Sequence, residues 1–264
     1  MGKTWTSKNI PQLVSYLGHS EWRNRKAAVE VLGKIGSSKY TELLENLLSD
    51  NISYVRRYAA EALGNIGTLE NTDLLKKPLS DDVYFVRHAS VTALGKIGTS
   101  KDIKLLKKLL SDDVSSVRRA AVEALGKIGT SKNISMIIPL LKEKEGFVRR
   151  AAAEALGNIG TSENIQSLKP LINDPVWRVR CAATETLGKI GTSKDISMLK
   201  PLLMEKEIFV RRAAIEALGK IGTSKNIQML EQFLSKKDKN VRRAAALAIE
   251  SIYKRMEPKL KIIT

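Results

Sequence analysis

The chain has 264 residues, 43% of them hydrophobic, and carries 45 Lys and Arg against 28 Asp and Glu, a formal net charge of +17. It is long enough to bury a sizeable core, and its one cysteine, Cys181, excludes an intramolecular disulfide. No apolar run reaches the length of about 18 residues that a membrane span needs, and the N-terminus lacks an apolar signal-peptide core, so the chain reads as soluble and cytoplasmic.

After a short lead-in, Met1 to Trp5, in which Trp5 is placed to cover the first helix, the sequence repeats. Units of constant length run 6–36, 37–67, 68–98, 99–129, 130–160, 161–191, 192–222 and 223–253, without insertion or deletion, and a tail follows at 254–264. A fixed period in this range marks a stack in which each unit buries its apolar face only against its neighbours, so the chain reads as one elongated domain. Most units open with Thr-Ser-Lys or a variant, as at Thr99, and the Thr or Ser is the N-cap of a first helix. Ile103, Leu105, Leu106, Leu109 and Leu110 form the apolar face of that helix in the fourth unit. Pro139, Pro170 and Pro201 recur inside it at the repeat spacing and predict a kink.

A short turn such as Ser111-Asp112-Asp113 leads into the second helix, best seen at Val117 to Gly129, V-R-R-A-A-V-E-A-L-G-K-I-G. In the second unit Val55, Ala59, Ala62, Leu63 and Ile66 share one stripe at the helical period. The helix ends at G-x-I-G, where the second Gly is expected in the left-handed cap conformation. An Arg follows the Val position in all eight copies: Arg25, Arg56, Arg87, Arg118, Arg149, Arg180, Arg211 and Arg242. It falls at the edge of the core, positioned to reach acid or carbonyl groups of its own preceding turn or of the adjacent repeat, with Asp50, Asp81, Asp112 and Asp174 as candidate acids. In the eighth copy Glu250, Ser251, Ile252 and Tyr253 replace G-x-I-G, so the helix is expected to continue to Met256 and stop before Pro258. Leu260, Ile262 and Ile263 are then expected to fold back as a cap.

The pattern D-x-x-x-V-R-x-A-A-x-x-A-L-G-x-I-G after a kinked first helix resembles the HEAT repeat, in the short form called the phycobilisome-lyase HEAT-like repeat. The resemblance covers residues 6–253. It implies an all-α fold, an α-solenoid coiled as a right-handed superhelix of eight helical pairs, with second helices lining the concave side. Relatives of this class include chromophore-lyase subunits, a di-iron hydroxylase, alkylation-glycosylase relatives and scaffolds.

The wheel of the second helix places Tyr54, Arg57, Glu61 and Asn65 opposite the core. At or just before this helix start sit Trp22, Tyr54, Tyr84, Phe85, Phe147, Trp177, Arg178 and Phe209, and one turn on are Arg57, Arg119, Arg150 and Arg212. Two readings stay open for the aromatics: they staple the turn between helices, or they line a binding face. The Arg, Glu and Lys rows four residues apart form a ladder of ion pairs on a basic face.

Catalytic chemistry is not expected. His19 and His88 are the only histidines, too few for the repeated His-Glu pairs of a di-iron site or for a zinc site, so no metal and no cofactor is anticipated. Cys181, at an Arg site of the repeat, reads as an inert thiol. The expected function is a monomeric, non-enzymatic scaffold gripping an acidic protein or peptide on the basic, aromatic-lined concave face. The partner-binding set is Trp22, Tyr54, Arg57, Tyr84, Phe85, Arg119, Phe147, Arg150, Trp177, Arg178, Phe209 and Arg212. Nucleic acid is the alternative partner, resting on charge plus aromatics, and a chromophore-lyase-like subunit is the third reading.

Overall fold

The computed structural model describes residues 10–260, with side chains described as far as Met256. The expected roles of Trp5, Leu260, Ile262 and Ile263 rest on side chains outside these described residues. All the regular structure among the described residues is helical. The chain divides into two compact units, Met1–Gly129 and Thr130–Thr264. Each is a stack of helical hairpins in which the second helices pack against one another and against the first helices of their own repeats.

Second helices run Trp22–Ile35, Ser53–Ile66, Tyr84–Ile97 and Ser115–Ile128 in the first unit. In the second unit they run Gly146–Ile159, Trp177–Ile190, Ile208–Ile221 and Lys239–Leu260. The predicted stripe is the buried one: Val55, Ala59, Ala62, Leu63 and Ile66 are all in the core, joined by Ala60. Small residues set the spacing between neighbouring second helices. A Cβ added at Gly64 would lie 2.7 Å from the Cα of Ala93, so the Gly–Ala contact lets the backbones approach more closely than larger residues would allow.

The second Gly of G-x-I-G adopts the expected left-handed cap in the first repeat, at Gly36, and not in the later copies. Gly67 is extended, with φ −72° and ψ 162°, and among the described residues Gly36 alone has a positive φ, 75°. The Gly67 N–H donates to the Leu63 carbonyl at 2.7 Å, after which the chain must run straight into the N-cap of the next repeat. Glycine is still required, because a Cβ there would come within 2.5 Å of the same carbonyl oxygen.

The Thr caps are present and are stronger than expected. The Thr99 N–H donates to Asp102 Oδ2 at 2.8 Å, while the Lys101 N–H donates to the Thr99 hydroxyl at 3.3 Å. The same reciprocal arrangement pairs Thr68 with Asn71, Thr130 with Asn133, Thr161 with Asn164, Thr192 with Asp195 and Thr223 with Asn226. It satisfies backbone donors that the short first helices leave open.

First helices are less regular than one kinked helix. In the fourth repeat, which has no Pro, an α turn at Ile103–Leu106 gives way to a tight 3₁₀ turn at Leu109–Ser111. With Pro139 the break falls between Ile134–Ile137 and Ile138–Lys142, with Pro170 the whole of Ser162–Asn173 is 3₁₀, and with Pro201 the helix Ile196–Leu203 runs through. The break therefore belongs to the repeat and not to its prolines. The last helix also departs from expectation: it continues through Pro258 to Leu260. The Gly pair that ends the other second helices is missing, and a proline so near a helix end disrupts little of the ladder behind it.

One contact recurs between neighbouring repeats. Arg56 donates from Nε to Asp81 Oδ2 at 2.6 Å and from its second terminal nitrogen to Asp81 Oδ1 at 2.9 Å, and its first terminal nitrogen reaches the Asp50 carbonyl at 2.8 Å. Arg25 with Asp50, Arg87 with Asp112 and Arg149 with Asp174 repeat the fork, and Arg180 pairs with Glu205 at 2.9 Å. Both alternatives for this Arg therefore hold at once: it takes the carbonyls of its own turn and the acid of the next. The acid has a second role, since Asp81 Oδ1 also accepts the Val83 N–H at 2.9 Å and fixes the start of the following helix. The pairs are well shielded, with Arg56 and Asp81 side chains 17% and 9% exposed.

Burial alone pushes the Asp81 carboxyl up, but the hydrogen bonds from Arg56 and Val83 and the nearby positive charge outweigh it and hold the carboxyl below the usual carboxylate range. Asp50, Asp112 and Asp174 are held low by the same balance. A carboxyl whose folded pKa lies below its unfolded value, about 3.9, contributes stability above that pH and loses it as pH falls through the folded value. Acid unfolding should therefore begin below pH ~4, and Asp81→Asn should flatten the fall in stability across that window in urea melts at stepped pH. Arg56→Ala leaves Asp81 shielded without its partner and should cost about 3 kcal/mol. In a double-mutant cycle the Arg56→Ala/Asp81→Ala pair should lose less than the sum of the single changes, and an additive result would show that the two do not act as a unit.

Candidate partner-binding face

The exposed side of the second helices carries the aromatic and charged residues singled out in the sequence, and each unit presents its own set. In the first unit the rings form a column. Trp22 stacks on Tyr54 with centroids 5.8 Å apart, Tyr54 stacks on Phe85 at 5.2 Å, and Tyr84 meets Phe85 edge-on at 5.7 Å. The column exists because one helical site recurs in each successive repeat and neighbouring second helices stand side by side. It ends where that site holds Ser116. In the second unit Trp177 stacks on Phe209 at 5.3 Å, while Phe147 has no ring neighbour among the described residues and stands 45% exposed. Tyr54, Tyr84 and Phe209 keep 48% of their surface in solvent. The stacked rings bridge neighbouring repeats through their faces, each stack being worth about 1 kcal/mol, while Trp22, Phe85 and Trp177 are only partly exposed.

Guanidinium groups lie on these rings. Arg23 sits 4.9 Å from the Trp22 centroid, Arg178 4.5 Å from Trp177 and Arg212 6.0 Å from Phe209. Arg57 is 5.4 Å from Tyr58, and the Lys26 ammonium is 4.4 Å from the same ring. One turn on, the predicted ion-pair ladder is present but uneven: Arg57–Glu61 at 2.8 Å and Arg150–Glu154 at 2.7 Å, against Arg212–Glu216 at 3.4 Å and Arg119–Glu123 at 3.8 Å. These side chains are roughly 40–50% exposed, so each pair contributes only a few tenths of a kcal/mol.

The Lys row read from the sequence as a partner of the Glu row also bonds between copies, which the sequence reading missed. Lys96 Nζ donates to Asn65 Oδ1 at 2.8 Å, and Lys189 Nζ donates to Asn158 Oδ1 at 2.6 Å, each across 31 residues. The signal lay in the Asn that stands at this site in two copies, each followed by a Lys in the next copy.

Beside the Trp177 stack, a shallow depression of about 210 Å³ is bounded by Arg150, Glu154, Trp177, Arg178, Cys181 and Glu185. The Cys181 thiol points to Glu185 Oε1 at 3.4 Å. Burial, then the Glu185 charge and that hydrogen bond, push its pKa up to about 12. His88, half-buried at the Arg57 site of the next repeat, is held below its usual range by burial and by the Arg119 charge. Among the described residues no group of three His, Cys, Asp or Glu side chains could hold a metal ion, and no helix is long and apolar enough to cross a membrane.

A stack of helical hairpins joined by a repeated Arg–acid contact defines an α-solenoid. The family model for HEAT repeats matches residues 1–55, 41–125, 115–180, 148–209 and 202–260, and the chain belongs to the HEAT-repeat family. No curated protein matches the sequence. Among solved structures the chain is similar in fold to an engineered protein, at 25% identity over 92% of this chain and 78% of that one, with a TM-score of 0.61. It is similar to Escherichia coli YibA at 22% identity over 95% and 99% of the two chains, with a TM-score of 0.68. It is also similar to the complex of CpcE and CpcF of phycocyanin lyase from Nostoc sp. PCC7120, at 23% identity over 95% and 96%, with a TM-score of 0.57.

A thiol with a pKa of about 12 is almost wholly protonated at pH 8. Cys181 should therefore react with iodoacetamide roughly a hundredfold or more slower in the folded chain than in urea. Equal labelling rates in the two states would remove the case for an inert thiol.

Proposed function

We propose that this chain is a non-enzymatic scaffold that binds an acidic protein or peptide on the exposed, basic and aromatic face of its second helices. The observation that carries this reading is a set of exposed rings on a face that also carries cations: Tyr54 and Tyr84 in the first unit, where Arg57 lies on the Tyr58 ring, and Phe147 and Phe209 in the second, with Arg212 6.0 Å from Phe209 and Arg178 over the partly exposed Trp177. Aromatic and Arg side chains are the residue types that anchor interfaces. The net charge of +17 favours an acidic partner and faster encounter with it.

A protein partner is favoured over nucleic acid by the stacking itself. Tyr54 has Trp22 on one side and Phe85 on the other, so the ring faces a nucleobase would stack on are already taken. The edges and hydroxyls remain free for side-chain contacts. The likeness to the CpcE–CpcF complex carries the fold alone and lends no chromophore chemistry to this chain.

The partner would be captured by affinity pull-down with and without nuclease. With it in hand, Phe147→Ala/Arg150→Ala should weaken binding by about 2 kcal/mol or more, with helicity unchanged. Lys132→Ala/Lys194→Ala, which removes exposed charge between repeats, should do much less. Affinity should fall only modestly with salt. A steep linear fall of log affinity with log salt would favour nucleic acid, and equal losses in the two double mutants would replace the face with diffuse electrostatics.

A further inference from the structure

The Arg–acid ladder has a gap. Arg25, Arg56, Arg87, Arg149 and Arg180 each meet the acid of the following turn, at Asp50, Asp81, Asp112, Asp174 and Glu205. The residue at the equivalent place after Arg211 is Lys236. The acid in that turn, Asp238, is committed to the helix start: its Oδ1 accepts the N–H groups of Asn240 and Val241 at 2.8 and 3.0 Å. Arg211 donates one terminal nitrogen to the Glu205 carbonyl and forms no ion pair among the described residues.

Arg211 borders a cavity of about 350 Å³, together with Lys236, Lys237 and Asp238, so the polar wall keeps an excess of positive charge. The apolar part of its wall is Leu203, Met204, Phe233 and Val241. Met204 is itself out of pattern. The same site holds Ser49, Ser80, Ser111, Lys142 and Asn173 in earlier copies, and Met204 is 71% exposed. One repeat has thus lost the acid that would neutralise its Arg and gained an exposed apolar side chain beside it.

We propose that this cavity binds a carboxylate of a partner protein: an Asp or Glu side chain takes the place of the missing repeat acid on Arg211, and an apolar side chain next to it in the partner packs on Met204. The occupied forks supply the template for the geometry, a bidentate guanidinium–carboxylate pair. Lys236 and Lys237 supply the surplus positive charge that selects an acid. The site is on the turn side of the repeat, is lined by none of the residues of the second-helix face, and stands independently of the second-helix reading.

The test titrates the full chain into a dye-labelled peptide, Gly-Ser-Asp-Leu-Asp-Leu-Gly-Ser, and reads fluorescence anisotropy. Saturable binding is expected, with at least about tenfold loss in Arg211→Gln. Lys225→Gln, which removes the same charge from another inter-repeat loop, and Phe147→Ala/Arg150→Ala should leave the affinity within about twofold. Lys236→Asp supplies the missing acid in the chain itself, so it should raise Tm and abolish peptide binding. That variant keeps the proposal falsifiable if Arg211→Gln folds poorly. The proposal is overturned by absence of saturable binding to the parent chain, by equal binding of a peptide with Asn in place of Asp, or by equal losses in Arg211→Gln and Lys225→Gln. Retained binding in Lys236→Asp overturns it too, as does Arg211-dependent binding of phosphatidylserine vesicles without peptide binding, which would assign the site to a lipid surface.

Discussion

The structure depends on one guanidinium. Arg56 reaches back to a carbonyl of its own turn and forward to the acid of the next turn, and the two reaches together span one repeat. Its counterparts Arg25, Arg87, Arg149 and Arg180 do the same. The planar fork makes two parallel bonds to one carboxylate, a geometry Lys cannot reproduce. Because the acid also accepts a backbone N–H at the start of the following helix, the same pair fixes the spacing of the repeats and the entry of the helix. Shielding from water makes the arrangement strong as a unit and costly when one partner is removed.

With that contact and the Gly–Ala approach carrying the stack, the exposed side of the second helices is relieved of most structural duty. Its charges pair locally and weakly, and its rings vary from Trp to Ser at one site without disturbing the helices that carry them. A surface so constituted can change its side chains at small cost to stability, which suits a family whose members share a framework and differ in what they hold. The aromatic column is the exception, because its rings also couple neighbouring repeats, so changes there act on packing as well as on the exposed surface.

The ends of the ladder follow the same logic. At the first turn His19 stands where later copies have the acid, and no Arg precedes it in the described residues. Its Nδ1 accepts the Glu21 N–H at 3.0 Å, so the capping half of the acid's role survives while the bridging half is dropped. In the last turn Asp238 likewise caps its helix, but here an Arg does precede the turn, and its fork is left without an acid.

The sequence by itself determined the repeat, the buried stripe of the second helix and the Thr caps, because each is a local pattern that neighbouring copies restate. It also placed the Arg at the core edge and named four of its acids, since side-chain direction on a helix follows from the helical period. Only the tertiary structure decided what lies a full repeat apart: that the Arg takes its own turn and the next one simultaneously, that the rings stack on one another, and that Lys96 and Lys189 reach Asn65 and Asn158 of the preceding copies. Backbone detail at the junctions was likewise beyond a local reading. The Gly after the second helix is left-handed at Gly36 but extended in the six later copies, where its N–H closes the helix on a Leu carbonyl. First helices tighten with or without proline because of the turns they join, and propensity alone cannot weigh such closure against its own preference.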